Sequence, residues 1–102
     1  MSKLSSNFVE LVQQIFPMEQ QSAVISLLET KCGRGLPLIE KQEEIGIERV
    51  RAGVLKLSDG SLEELKIWVA QANQDWRDVL VAAGFADSLR AHLDWLQMMR
   101  DG

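Results

Sequence analysis

The sequence predicts an all-α protein, a compact bundle of five to six short helices in a single domain covering residues 1–102. Apolar residues recur at helical spacing from one end of the chain to the other, whereas the alternation typical of strands is nearly absent. A chain of 102 residues is also about the size of one domain. We expect the helices at roughly residues 7–16, 18–32, 40–57, 62–73, 76–83 and 88–99.

The first two predicted helices are separated by Pro17, which lacks a backbone N–H and restricts the residue before it. Ser5, Ser6 or Asn7 can cap the first helix, because their side chains accept hydrogen bonds from free backbone N–H groups. The apolar face of this helix consists of Phe8, Leu11, Val12 and Ile15. The second helix has a wider apolar face, formed by Val24, Ile25, Leu27 and Leu28.

The stretch "GRGLPLIEKQEE", residues 33–44, is the most loop-like part of the chain, and we expect its Leu36 and Leu38 to pack into the core. The third helix follows, with a buried stripe of Ile47, Val50, Val54 and Leu57. Gly46 and Gly53 lie nearly on the same face, although glycine inside a helix costs about 1 kcal/mol relative to alanine. Close approach of another helix is the expected reason, and a break near Gly46 is the alternative.

Polar and glycine residues mark the limits of the last three helices. Asp59 and Gly60 end the third helix, and Ser61 begins the fourth in the spacing of a capping box. Asp75 is expected to cap the fifth helix, which Gly84 ends. The expected buried stripes of these helices are Leu62, Leu65, Trp68, Val69 and Ala72; Trp76, Val79, Leu80 and Ala83; and Leu89, Leu93 and Leu96.

The composition and net charge of the chain argue against several classes of protein. The formal net charge of −4 is spread along the chain, which disfavours a nonspecific nucleic-acid binder because such proteins cluster Lys and Arg. A single cysteine excludes an intrachain disulfide. The N-terminus lacks the features of a signal peptide, and no apolar run approaches the roughly 20 residues of a membrane span. We therefore expect a cytoplasmic protein with no membrane partner.

Few residues in the sequence are suited to catalysis or metal binding. His92 is the only histidine and Cys32 the only cysteine, and one of each cannot complete a tetrahedral zinc site. Glu40, Glu44 and Glu48 follow one another at i, i+4, and we interpret them as a solvated helix face. The sequence therefore predicts no catalytic residue, no cofactor and no metal site.

Two alternatives stay open at this point. One is a helical nucleic-acid-binding regulator, although Arg77 in the candidate recognition helix is flanked by Asp75 and Asp78, which would repel phosphates. The other is a small enzyme in which Asp75, Arg77, Asp78 and His92 converge in a cleft.

The leading hypothesis is a protein–protein interaction or regulatory module that is not an enzyme and that either binds another protein or forms a homodimer. Its candidate contact residues are Arg49, Arg51, Asp75, Arg77 and Asp78. Tryptophan and arginine are enriched at interface hot spots. For at least two of the three tryptophans, however, the apolar neighbours at helical spacing favour packing in the core.

The segment 48–85 carries two short patterns, "VLKLS-G" at the end of one helix and "DWRDVL-AAGF" after a spacer helix. It resembles small bacterial proteins of uncharacterised function that share these patterns. The resemblance implies a bacterial cytoplasmic protein. It implies no activity and no functional residues.

Overall fold

A computed structural model describes residues 3–33, 35–36, 44–88 and 90–101. Two helices form the N-terminal part, α1 (Ser6–Ile15) and α2 (Met18–Lys31). Ser5 caps α1 by accepting the N–H of Phe8 at 3.4 Å, as the sequence predicts. Both helices end one residue earlier than expected. Phe16, just past the end of α1, has an extended backbone and a buried side chain.

Helix α3 (Glu44–Ser58) makes its most extensive contact with α4 (Leu62–Ala83). A Cβ placed on Gly53 would lie 3.0 Å from Cγ1 of Val79 and 3.6 Å from Cβ of Ala83 on α4. The close approach expected at this glycine is therefore confirmed. The helix continues through Gly46, so the alternative of a break there is wrong. The predicted start at residue 40 lies outside the described residues, as do Arg34, Leu38, Lys41 and Leu89.

Helix α4 contains the fourth and fifth predicted helices, joined across a kink at Asp75. The backbone of Asp75 is extended (φ −160°, ψ 100°), and its Oδ1 accepts the N–H of Arg77 at 3.0 Å. Asp75 thus caps the second half of α4, as expected. Ser61 caps the first half by accepting the N–H of Glu64 at 3.2 Å. Gly84 ends the helix in the left-handed conformation that glycine adopts most readily (φ 81°).

Helix α5 (Ala91–Asp101) begins three residues later than predicted. Before it, the Oγ of Ser88 accepts the N–H of Arg90 at 3.0 Å, which forms a turn in place of a first helical turn. Among the described residues of α5, only His92 is fully buried.

The five helices enclose one core, so the predicted all-α fold is confirmed, and the described residues form no strand. Leu36 lies in this core, as expected. All three tryptophans are partly buried against it. The largest of the fully buried apolar side chains are Val12, Val24, Leu28, Leu36, Ile47, Val50, Val54, Leu55, Leu65 and Phe85.

Candidate functional site

Arg51, predicted as part of a contact surface, is buried inside the protein. Its side chain on α3 is 4% exposed. Nε donates to the carbonyl oxygen of Cys32 at 2.8 Å and Nη2 to that of Leu28 at 3.3 Å, where α2 ends. Nη1 donates to the carbonyl oxygen of Lys3 at 3.3 Å. The buried guanidinium thus joins α3 to the end of α2, where the carbonyl oxygen of Leu28 also accepts the N–H of Cys32 at 3.2 Å, and to the N-terminal segment.

Two further cations of α3 bind the end of α4. Nη2 of Arg49 donates to the carbonyl oxygen of Phe85 at 2.6 Å, and Nζ of Lys56 donates to that of Ala83 at 2.8 Å. The ammonium of Lys56 also lies 5.0 Å from the centre of the Phe85 ring. Positive charge at the C-terminus of a helix is favoured by the helix dipole. Arg49 therefore has a structural role within the chain, although it is only half-buried.

The remaining predicted contact residues lie together on the surface of α4. Nε and Nη2 of Arg77 donate to Oδ1 and Oδ2 of Asp75 at 3.0 and 3.1 Å, a bidentate ion pair. Hydrogen bonds from Arg77 lower the pKa of Asp75, and the same carboxylate raises the pKa of Arg77. Asp78 accepts a hydrogen bond from Gln71 at 3.2 Å. Because the charge of Arg77 is already neutralised by Asp75, this helix face offers little to a nucleic-acid phosphate.

His92 lies in surroundings different from those of the Asp75–Arg77 pair. Its side chain is fully buried, and Nε2 is 3.3 Å from Oε1 of Glu48 on α3. Its ring also lies edge-on to Phe85, with 6.4 Å between the ring centres. The structure therefore does not bring His92 together with the aspartates and arginine of α4 in one cleft.

Glu48 lies at the edge of a groove between α1 and α5, here called the α1–α5 groove. The groove encloses about 210 Å³. Its lining residues are Ser5, Asn7, Phe8, Leu11, Glu48, Leu93, Leu96, Gln97 and Arg100. Four of these nine residues are apolar and come from α1 and α5, and the other five are polar, with one carboxylate and one guanidinium among them.

Two further cavities adjoin the α1–α5 groove. A smaller cavity of about 80 Å³ adjoins one end and shares Ser5, Phe8 and Glu48 with it. A cavity of about 160 Å³ adjoins the other end, where Leu11 and Arg100 are among the shared residues. Lys3 and Arg51 also line the first of these two cavities, and Glu10 lines the second, so that each of them carries both positive and negative side chains.

Two contacts hold the walls of the groove in place. Nε2 of Gln14 on α1 donates to the carbonyl oxygen of Met99 on α5 at 2.9 Å. On the α3 side, the buried ring of His92 fixes the carboxylate of Glu48, which stays 38% exposed. The groove therefore presents an accessible, oriented negative charge beside an apolar surface.

Sequence reasoning missed this groove and placed Glu48 on a solvated face. Glu48 lies next to Ile47 in the sequence, and this position beside the buried stripe was a signal that it borders the core. Similarly, Arg51 lies four residues after Ile47 and three before Val54, within the stripe itself. No pattern in the sequence indicated that α1 and α5 would form the two walls.

The described residues provide neither a cluster of metal ligands nor a reactive thiol. Within those ranges, no three His, Cys, Asp or Glu side chains are grouped so that they could hold a metal ion. Cys32 is fully buried, and burial raises the pKa of its thiol to about 12, against a smaller opposing effect of Arg51. A thiol with so high a pKa is protonated at neutral pH and is a poor nucleophile.

Comparisons with known proteins gave no match to a family model, to a curated protein or to a solved structure. The resemblance to small bacterial proteins therefore stays a prediction. Among the described residues, no helix has the length and apolar character needed to cross a membrane.

Proposed function

We propose that this chain is a non-catalytic protein–protein interaction module of the bacterial cytoplasm, and that it binds its partner through α5 and the α1–α5 groove. The observation that carries the proposal is the incomplete burial of α5. The large apolar residues of this helix are Leu93, Trp95, Leu96, Met98 and Met99, and none of them is fully buried. A partner protein would cover them.

The apolar surface of α5 differs from the isolated apolar residues elsewhere. Met18 is exposed on α2, and Ile67 and Val81 are exposed on the two different halves of the kinked α4; isolated residues of this kind are ordinary for a soluble protein. On α5, Leu93 and Met98 are 37% and 60% exposed on the same short helix. Methionine and tryptophan are also enriched in protein interfaces. The concentration of such residues on one helix supports a docking surface.

The proposed contact surface lies on helices other than those of the contact residues predicted from the sequence. Arg49 and Arg51 bind backbone carbonyls of their own chain, so they do not support partner binding. Asp75, Arg77 and Asp78 remain accessible on α4 and stay candidates for a second contact. Nothing in their geometry requires a partner, since Arg77 is paired with Asp75.

Affinity capture from native lysate with matched variants tests the proposal. Leu93→Gln places a polar side chain in the groove, and Val81→Gln makes the same kind of change at an exposed apolar residue of α4 that is 67% exposed. Wild type and Val81→Gln should recover the same stoichiometric protein, and Leu93→Gln should lose it. Circular dichroism verifies that both variants are folded.

Light scattering on the same three proteins tests a second copy of the chain as the partner. A homodimer should dissociate in Leu93→Gln and persist in Val81→Gln. A monomeric wild type that recovers no stoichiometric protein would contradict the proposed function. Equal recovery by Leu93→Gln and wild type would show that α5 is not the surface.

A further inference from the structure

We infer that α5 is a detachable cover, which opens while helices α1 to α4 stay folded and then exposes an apolar surface of the chain. This surface, here called the covered surface, consists of Phe8, Leu11, Leu55 and Phe85, all of which are buried while α5 is in place. The inference follows from how α5 is packed, how it is joined to the other helices and how the chain is held just before it.

The face of α5 that meets the core is only partly buried. His92, Trp95, Leu96 and Met99 form this face, at positions i, i+3, i+4 and i+7 of the helix. His92 is fully buried, but the three apolar residues pack against the core with part of their surface exposed. Helices α1 to α4 each bury two or more apolar side chains. Since burial of an apolar face supplies most of the stability of a short helix, α5 is held less firmly than the others.

Cavities adjoin α5 along both edges of this face. On one edge lies the α1–α5 groove, with Leu93 and Leu96 among its lining residues. On the other edge, Trp95 and Met99 line a cavity of about 420 Å³, which Leu55 of α3 also lines. Side chains that border a cavity lack the close contacts of a packed core on that side. Detachment of α5 therefore breaks fewer packing contacts than detachment of a helix that is packed on both sides.

Every residue of the covered surface belongs to another part of the chain and lies next to α5. Phe8 and Leu11 of α1 line the α1–α5 groove. Leu55 of α3 lines the cavity on the other edge. The ring of Phe85 follows α4 and lies 6.2 Å, between ring centres, from that of Trp95. These four residues would stay in place when α5 leaves, so the structure shows both the surface and its occupant, which is α5 itself.

The hydrogen bonds that join α5 to other helices lie near the surface. Between described residues they are the bond from Gln14 to the carbonyl oxygen of Met99, which is exposed, and the contact of His92 with Glu48, whose side chain is 38% exposed. Water can replace such partners when α5 detaches, so breaking them costs little. His92 is therefore the main anchor of the helix.

The chain is fixed immediately before α5. Nη2 of Arg49 donates to the carbonyl oxygen of Phe85 at 2.6 Å and reaches that of Ser88 at 3.5 Å. The Oγ of Ser88 then accepts the N–H of Arg90 in the turn that precedes the helix. These bonds attach the connection to α3, so α5 can leave without displacing the end of α4.

Opening of α5 would also regulate the proposed partner binding. The proposed surface combines α5 with the wall of the groove on α1, so it exists only while α5 is in place. A partner bound there stabilises the closed form and opposes opening. This regulatory consequence rests on the proposed function, whereas the opening itself is a property of the chain alone.

The test measures thiol labelling in the folded full-length chain. Leu55→Cys places a thiol in the covered surface, and Cys32, fully buried just past the end of α2, is the control within the same molecule. Leu65→Cys is the matched variant, because Leu65 is also fully buried but lines neither cavity next to α5. Labelling of both thiols by iodoacetamide is followed by mass spectrometry at increasing concentrations of urea below the unfolding transition.

In Leu55→Cys, the introduced thiol should be labelled at least about tenfold faster than Cys32. Its rate should also depend less steeply on urea, because local opening exposes less surface than global unfolding. In Leu65→Cys, the two thiols should be labelled at the same rate. Chymotrypsin should cut the wild type within α5, after Trp95 or Leu96, before it cuts helices α1 to α4.

Two further changes test the anchor in the Leu55→Cys chain. His92→Ala should speed labelling of the introduced thiol about tenfold or more, because it removes the only fully buried side chain among the described residues of α5. Met98→Ala, at a residue of α5 that is 60% exposed, should change the rate by less than about twofold.

Equal labelling of the introduced thiol and Cys32 in Leu55→Cys would show that α5 opens only when the whole chain unfolds, and it would overturn the inference. Labelling at position 55 that is independent of urea would overturn it too, because the reagent would then reach this position with α5 in place. Neither result bears on the proposed function, which the capture experiment decides. Conversely, faster labelling at position 55 in a chain that captures no partner would support the opening while the proposed function fails.

Discussion

Arg51 on α3 donates its Nε–H to the carbonyl oxygen of Cys32 at 2.8 Å, at the point where α2 ends. The two residues are 19 positions apart, and the bond is buried. Since Arg51 also reaches the carbonyl oxygens of Leu28 and Lys3, one side chain joins α3, the end of α2 and the N-terminal segment.

Replacing Arg51 should destabilise the protein strongly. Arg51→Ala removes the hydrogen bonds to the carbonyl oxygens of Cys32, Leu28 and Lys3 and opens a cavity, so we expect the free energy of unfolding to fall by about 3 kcal/mol. Urea denaturation monitored by circular dichroism measures this loss. Arg51→Met restores the side-chain volume and should recover only part of it. Arg90→Ala, at an exposed position, is the control and should unfold like wild type; equal stability of Arg51→Ala and wild type would refute the bridging role.

Gly53 and Val79 should show coupled effects on stability. Alanine at position 53 favours helix by about 1 kcal/mol, but its Cβ would meet Cγ1 of Val79 at 3.0 Å. We therefore expect Gly53→Ala to be more favourable in the Val79→Ala background, where that methyl group is absent. A double-mutant cycle from urea denaturation measures the coupling. Additive changes in the free energy of unfolding would mean that the side chain of Val79 can move away from position 53 without loss of stability.

The free energy of unfolding should depend slightly on pH through Asp75, the residue at the kink in α4. Hydrogen bonds from Arg77 lower the pKa of Asp75 in the folded state. The ionised carboxylate therefore contributes stability above the pKa of the unfolded chain, and this contribution is lost as the pH falls through the depressed value. Because both side chains are on the surface, we expect the effect to be small.

A carbon-detected NMR titration of the Asp75 carboxyl group measures this pKa directly. Arg77→Ala should raise it towards the ordinary aspartate value and leave the global unfolding midpoint almost unchanged. Asp101 on α5, whose carboxylate accepts hydrogen bonds from Gln97, serves as the internal reference, because Asp78 interacts electrostatically with Arg77. An unchanged pKa of Asp75 in Arg77→Ala would show that the ion pair does not form in solution. Any loss of partner binding by this folded variant would assign a functional role to Arg77.

Cys32 should be unreactive in the native protein. Ionisation of its thiol in the unfolded chain should lower the free energy of unfolding in alkaline solution. Its pKa is about 12 when folded, against 9.0 for an unperturbed thiol. Between these values the unfolded chain loses its thiol proton and the folded chain retains it, so the free energy of unfolding falls as the pH rises. The slope contributed by this one group approaches about 1.4 kcal/mol per pH unit within that window.

Comparison with Cys32→Ala isolates the thiol contribution. The difference in unfolding free energy between wild type and this variant should be constant below pH 9 and should shrink above it. Iodoacetamide should modify wild type only under unfolding conditions. Rapid alkylation of the folded protein would mean that Cys32 is accessible.

The helices and their limits could be predicted because their signals are local. Asp75 caps the second half of α4 through a bond to Arg77, two residues away, and Ser61 caps the first half through Glu64, three residues away. Such short-range contacts are specified by the residues themselves. The start of α5 was predicted too early, because Ser88 forms a turn that competes with helix.

The candidate site could not be predicted because its contacts are distant in sequence. Glu48 meets His92 across 44 positions, and Gln14 meets the carbonyl group of Met99 across 85. Helical periodicity shows which face of a helix is apolar, but not which helix will lie against it. For the same reason Arg51 was taken for a surface residue, although its position in the apolar stripe of α3 is consistent with burial.

Three cations of α3 are hydrogen-bonded to other parts of the chain, and these bonds affect which regions unfold together. Arg51 binds the end of α2, whereas Lys56 binds Ala83 at the end of α4 and Arg49 binds Phe85 just beyond it. Neither helix end can detach without breaking a side-chain bond to α3. Amide hydrogens in the last turns of α2 and α4, which would ordinarily exchange by local fraying, should therefore exchange together with those in the middle of α3. The central helix thus makes the two halves of the chain one cooperative unit.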